Sequence, residues 1–79
     1  MSVSEEIIYR VAREHGIGPR DLRGPGRHRA VAWPRQQAMC ELRAQGLSLP
    51  LIGRILGHRD HTTVIHGIRA HQRRNGVAS

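Results

Sequence analysis

The sequence predicts an all-α fold: a small bundle of about five helices containing a helix-turn-helix, with a basic loop before a long central helix. Three observations predict it. Apolar residues recur at helical spacing in successive segments. Glycine, proline and short capping residues punctuate those segments at the places where helices start and stop. Two short helices near the C-terminal half are separated by a glycine-containing turn of three to four residues. No repeat, low-complexity tract or linker interrupts the 79 residues, which read as one domain, 1–79.

From Ser4 to His15, Val3, Ile7 and Val11 recur every four residues, with Ile8 and Ala12 one step on. Ser4 is the expected N-cap, with Glu5 and Glu6 in the first turn, where acids oppose the helix dipole favourably. Gly16 and Gly18 end this helix, and Pro19-Arg20-Asp21-Leu22 reads as one short helical turn that tucks Leu22 into the core. Residues 23–30 hold two glycines around a proline and cannot continue a helix. Arg23, Arg27 and Arg29 make this loop basic. The long helix is expected from Val31 to Gln45, with Pro34 tolerable only in its first turn. Val31, Ala38, Met39 and Leu42 supply its apolar side, and Gly46 closes it. Ser48 then caps a short helix with Pro50 in its first turn and Leu49, Ile52, Ile55 and Leu56 buried. Gly57 terminates it, Asp60 caps the last helix, and Asn75-Gly76 stops that helix after about Arg74.

Composition narrows the function classes. A chain of this size buries only about 60% of its unfolded surface, so a catalytic domain beside a binding domain does not fit. One Trp, one Tyr and no Phe leave an aliphatic core, and the single Cys40 rules out an intrachain disulfide and suggests a reducing compartment. The acidic first residues do not resemble a signal peptide, and no apolar run reaches membrane length. A soluble, cytoplasmic, nucleoid-associated protein is expected, with no membrane partner. The net charge is +7, and all 13 basic residues are arginine. Residues 1–22 carry three arginines and four acids, for −1, whereas residues 23–79 carry ten arginines and two acids, for +8. That asymmetry suits a polyanion-binding surface; codon bias in a GC-rich genome explains the choice of arginine over lysine at least as well.

The most informative stretch is Gly57-His58-Arg59-Asp60-His61-Thr62-Thr63-Val64-Ile65-His66. Nothing about a core requires His61, Thr62, Thr63 and His66 at a helix start, whereas a helix aimed at base edges and phosphates needs such groups. On a helical wheel Val64, Ile65 and Ile68 point one way, and Thr62, His66, Arg69 and Arg73 form an acid-free stripe roughly 120° away. His58-Arg59-Asp60 matches the catalytic-loop string of protein kinases by coincidence, since no lysine and no Gly-rich loop accompany it. His61 and His66 are five apart and do not align as a ligand pair, so no metal is expected, and neither is a cofactor. The chain reads as a non-enzyme.

Together with Leu49-Pro50-x-Ile52-Gly53 and Arg27-x-Arg29-x-Val31-Ala32-x-Pro34-Arg35-Gln36-x-Ala38-Met39, the Arg59–His66 string resembles the C-terminal DNA-binding domain (domain IV) of the bacterial replication initiator family, DnaA, over about residues 3–74. The resemblance implies that Arg27 enters the minor groove, Arg35 and Gln36 lie near bases, and Asp60, His61 and Thr62 read the major groove. It implies phosphate contacts for Arg43, the backbone at Leu49 and Pro50, Arg59, Thr63 and His66, to which the stripe on the last helix adds Arg69. Pro25 and Gly26 stand where the family is more basic, and His58 stands where a glycine is usual. Trp33 replaces a basic or small residue and is expected to plug the core. The family's extra C-terminal segment and the initiator's ATPase module, marked by G-x-x-x-x-G-K-[ST], are expected to be absent, so no nucleotide is expected. Sequence-specific binding of double-stranded DNA follows, first as a small transcription regulator or its reading head. The alternative is a regulator of replication initiation that occupies initiator boxes. Either use would bring transcription or replication proteins as partners. The rival from another class is an interaction module that binds an acidic protein.

Overall fold

The computed structural model describes residues 2–24 and 29–76. Among them five helices follow in order: α1 Val3–Glu14, α2 Pro19–Arg23, α3 Arg29–Ala44, α4 Leu49–Ile55 and α5 His61–Arg74. Helix α3 is the axis, in contact with each of the other four, and α4 packs against α5 as the helix-turn-helix pair.

Helix α1 begins at Val3, with Ser2 as its cap in place of the expected Ser4. The reason is a reciprocal capping box: the Glu5 amide donates to Ser2 Oγ at 3.2 Å while the Glu5 carboxylate faces the Ser2 amide. Ile7, Ile8, Val11 and Ala12 turn inward, but Val3, expected in the same stripe, is 53% exposed because it sits in the first turn, ahead of the core. The helix ends in a Schellman arrangement. Gly16 takes a φ of +68°, and the Gly16 and Ile17 amides reach back to the Arg13 and Ala12 carbonyls at 3.2 and 2.9 Å.

Helix α3 starts two residues before the expected Val31, so Pro34 lies in its second turn. The proline's fixed φ is already helical, and the one backbone bond it forfeits belongs to the Ala30 carbonyl, in the frayed first turn. Ala38, Met39 and Leu42 meet Ile8, Val11 and Leu22 from the first two helices, and Ile52, Leu56 and Val64 close the core from the helix-turn-helix side. Val31 is only half-buried. No helix among the described residues is long and apolar enough to cross a membrane.

The turn between α4 and α5 is built by two successive left-handed residues, Gly57 at φ +89° and His58 at φ +59°. They bring the Arg59 amide onto the Gly53 carbonyl at 2.8 Å. Gly53 and Arg59 approach so closely that a methyl group on Gly53 would overlap the Arg59 carbonyl. The angle between α4 and α5 is therefore set by backbone contact as well as by side-chain packing.

Candidate nucleic-acid interface

Asp60 fixes the start of α5. Its Oδ1 accepts from the Thr62 amide at 2.7 Å, and this bond, with a contribution from the Thr62 side chain and the nearby His61, holds the carboxyl below its ordinary range. Val64, one turn in, is fully buried. With the helix docked through Val64, His61, Thr62, Thr63, His66 and Arg69 are left exposed on the other side. His61 Nδ1 lies 3.8 Å from Asp60 Oδ1. The first turn of α5 holds no acid.

A groove runs between α3 and α5, lined by Gln36, Thr63, His66 and Arg73, with Gly67 and Met39 at its floor. Gly67 lies where the two helices meet: a Cβ there would collide with Met39 Sδ unless that side chain moved, and would lie 3.4 Å from Gln36 Cγ. The acids collect elsewhere. Arg10 pairs with Glu14 at 3.2 Å and also with Glu41, joining α1 to α3 on a separate flank. Gln37 adds a 2.9 Å bond to Glu41 there.

Arg35, expected beside bases, borders the α3–α5 groove but is only 6% exposed. Its Nε donates to the Leu22 carbonyl at 2.9 Å, and its Nη2 donates to the Asp21 and Gly24 carbonyls at 2.8 and 3.0 Å. These are the carbonyls that the C-terminal end of α2 leaves without helical partners, and a guanidinium matches both their geometry and the helix dipole. Burial, then the charge of Arg59, pushes the Arg35 guanidinium below its ordinary value.

Arg59, expected on phosphate, also borders the groove and donates through Nη1 to Leu56 O and through Nη2 to Gly24 O, the latter at 2.7 Å. It ties the α4–α5 turn to the end of α2 and is half-buried. Trp33 requires a correction. It is 48% exposed, because its position on α3 lies off the face carrying Ala38 and Leu42, and Arg74 Cζ stands 4.6 Å above its ring centroid.

The remaining expected residues fall in two places. Gln36, Thr63 and His66 come together in the α3–α5 groove, with Asp60, His61 and Thr62 at the leading end of α5. Arg43 stands at the C-terminal end of α3, exposed, with Nη1 on the Leu47 carbonyl at 2.7 Å. It is adjacent in sequence to the loop leading to Leu49 and Pro50, the first two residues of α4. Of that pair only Leu49 has a backbone N–H to offer, since proline lacks one. Arg27 lies outside the described residues. Arg73, part of the acid-free stripe but given no DNA contact by the resemblance, lines the groove; the four-residue step from Arg69 is the signal that finds it. Among the described residues no group of three or more metal-ligating side chains gathers.

A sequence model of the bacterial dnaA protein helix-turn-helix matches residues 4–70. The chain belongs to the bacterial DnaA helix-turn-helix family. The chromosomal replication initiator protein DnaA of Thermomicrobium roseum is 48% identical over 65 residues, covering 81% of this chain and 14% of that protein. The DnaA of Thermus thermophilus is 48% identical over 65 residues, covering 81% and 15%. That of Ruegeria sp. is 49% identical over 67 residues, covering 82% and 14%. The chain therefore spans about a seventh of the length of these DnaA relatives, and the match is to the C-terminal domain.

Proposed function

We propose that this chain binds double-stranded DNA sequence-specifically through its helix-turn-helix, without catalysis, and acts on replication initiation by occupying initiator boxes. The observation that carries the reading is the leading end of α5. Asp60 caps it, Val64 anchors it in the core, and His61, Thr62, Thr63, His66 and Arg69 stand exposed with no acid in the first turn. A helix held in this way presents donors, acceptors and methyl groups to base edges, while its flanking arginines meet phosphate.

His61, Thr62 and the outer oxygen of Asp60 are assigned to bases. Gln36 is assigned to a base beside them, and Arg27 to the minor groove. Arg43, the Leu49 amide, Thr63, His66 and Arg69 are assigned to phosphates. Replication is preferred over the transcription-regulator role expected first, because the relatives are chromosomal replication initiators and nothing in the comparisons favours transcription.

Selection from a pool of random duplexes tests the reading. The wild type is expected to enrich one motif, and His61→Ala or Thr62→Ala to lose about tenfold in discrimination while keeping weak general binding. Two variants with undiminished discrimination would remove the base-reading role. No retardation of any duplex at moderate salt, with capture of an acidic protein instead, would favour the interaction-module reading.

A further inference from the structure

Gln36 is on the wall of the groove between α3 and α5, and its amide is not free to turn. Arg74 Nη1 lies 2.5 Å from Gln36 Oε1. A guanidinium carries donors and no acceptor, so only the oxygen end of the amide can meet it. Arg74 is itself held, with Cζ 4.6 Å over the Trp33 ring centroid, where the negative face of the indole attracts a cation. Among the described residues no second hydrogen bond engages the Gln36 side chain. The three residues thus form a relay in which indole holds guanidinium, guanidinium holds amide oxygen, and the amide nitrogen is left for the groove.

We propose that Trp33 and Arg74 are positioning residues that fix the polarity with which Gln36 meets the duplex; this rests on the duplex-binding reading given above. Reading adenine with a glutamine takes both ends of the amide, the oxygen accepting from N6 and the nitrogen donating to N7. With the oxygen turned toward Arg74, the end of the amide left for the duplex is the nitrogen, which only donates. Donors match guanine O6 and N7 or thymine O4; cytosine opposes them with its amino group, and adenine offers them N7 alone, beside an N6 amino group that opposes them. The relay therefore selects guanine or thymine at the position under Gln36. Neither Trp33 nor Arg74 needs to touch DNA to impose that preference.

The test is selection from random duplexes by the wild type and by Gln36, Arg74 and Trp33 variants, with folding checked by circular dichroism melts. Gln36→Ala is expected to flatten one position of the motif, by about tenfold in base ratio, and so locate the contact. Arg74→Lys keeps a pure donor and is expected to retain the wild-type base there. Arg74→Glu supplies a pure acceptor, draws the amide nitrogen inward and turns the oxygen outward, so the preference moves to adenine or cytosine. Should Arg74→Glu fail to fold, Trp33→Leu carries the test, because loosening Arg74 is expected to narrow the discrimination against adenine. A base ratio at that position unaltered by the folded Arg74 or Trp33 variant overturns the relay. So does a Gln36→Ala motif identical to the wild type, which would place the amide on phosphate. A wild type that enriches no motif overturns the duplex reading itself, and the relay with it.

Discussion

Arg35 and Arg59 donate to one acceptor, the carbonyl oxygen of Gly24, at 3.0 and 2.7 Å. Two cations converge there because the end of α2 exposes carbonyls that have no helical partner. Their convergence joins α2, α3 and the α4–α5 turn at the residue from which the basic loop departs. The repulsion between the two guanidinium groups is part of what pushes Arg35 below its ordinary value, after burial. The arrangement persists because three carbonyls gain partners in Arg35 alone.

Removing Arg35 should therefore cost stability. Arg35→Met takes the donor from the Leu22 and Asp21 carbonyls and leaves Gly24 to Arg59 alone, and unsatisfied buried groups cost about 1–3 kcal/mol each before relaxation. A net loss of about 3 kcal/mol is expected in urea denaturation. Arg35→Lys should recover little of it, since an ammonium cannot fork across three acceptors. A variant that keeps wild-type stability yet loses DNA discrimination would restore Arg35 to the base-reading set.

His58 stands at φ +59°, in a region that disfavours any residue with a Cβ. His58→Gly relieves that cost at an exposed position and should stabilise the fold by up to about 1 kcal/mol. Thermal melts at constant pH measure it. A destabilised His58→Gly would mean that the imidazole makes a contact worth more than the backbone relief.

Gly53 and Gly67 should respond oppositely to the same change. At Gly53 a methyl group meets the Arg59 carbonyl, which is backbone and cannot step aside. Opening the turn by Gly53→Ala should cost about 2–3 kcal/mol. At Gly67 the obstacle is the Met39 thioether, a flexible group that can rotate away. The gain in helix propensity, up to about 1 kcal/mol, should leave Gly67→Ala near neutral. Equal losses at both sites would show that side-chain packing, not the backbone approach, sets the α4–α5 angle.

Local signals in the chain carried the helices. Ser48, Asp60, Gly16 and Gly46 act within a few residues of themselves, so capping chemistry finds them without knowledge of the fold. The bonds that Arg35 and Arg59 make within the fold are not legible in the sequence, for the complementary reason. Helical spacing tells which arginines lie near the loop, but a guanidinium suits a carbonyl as well as a phosphate. Its partner here is 11 to 14 residues away for Arg35 and 35 for Arg59. The Gln36–Arg74 bond spans 38 residues, and no periodicity reports a contact of that separation. The acids at Glu5 and Glu6 are compatible with a helix capped by Ser4 as well as by Ser2. Only the three-residue step from Ser2 to Glu5 closes the capping box.

His71 links pH to stability. Burial first, then the charge of Arg74 and, after the opposing pull of Glu41, that of His15, hold its imidazole below the ordinary 6.5. Between that folded value and 6.5 the unfolded chain binds more protons, so its contribution is whole above about 6.5 and is lost as pH falls through the folded value. His71→Gln should narrow the drop in Tm between about pH 7.5 and pH 5.5 at fixed salt. An unchanged drop would assign the acid sensitivity to other groups.

Salt dependence separates arginines that hold the fold from those assigned to DNA. Arg35 and Arg59 are engaged by carbonyls, which leaves Arg43, Arg69 and Arg73 as exposed candidates, with Arg27 from the loop. Three or four neutralised phosphates give a slope of log affinity against log salt of roughly −3 to −4. Arg69→Ala and Arg73→Ala should each flatten it by about 0.9 while leaving Tm nearly unchanged. Arg59→Met should do the reverse, lowering Tm because the Leu56 carbonyl loses its side-chain donor and Gly24 keeps only Arg35, with the slope intact. Titrations of one selected duplex across a salt series, beside melts of the same variants, distinguish the two groups. If Arg59→Met flattens the slope as Arg69→Ala does and leaves Tm alone, its guanidinium leaves Gly24 for phosphate when DNA binds.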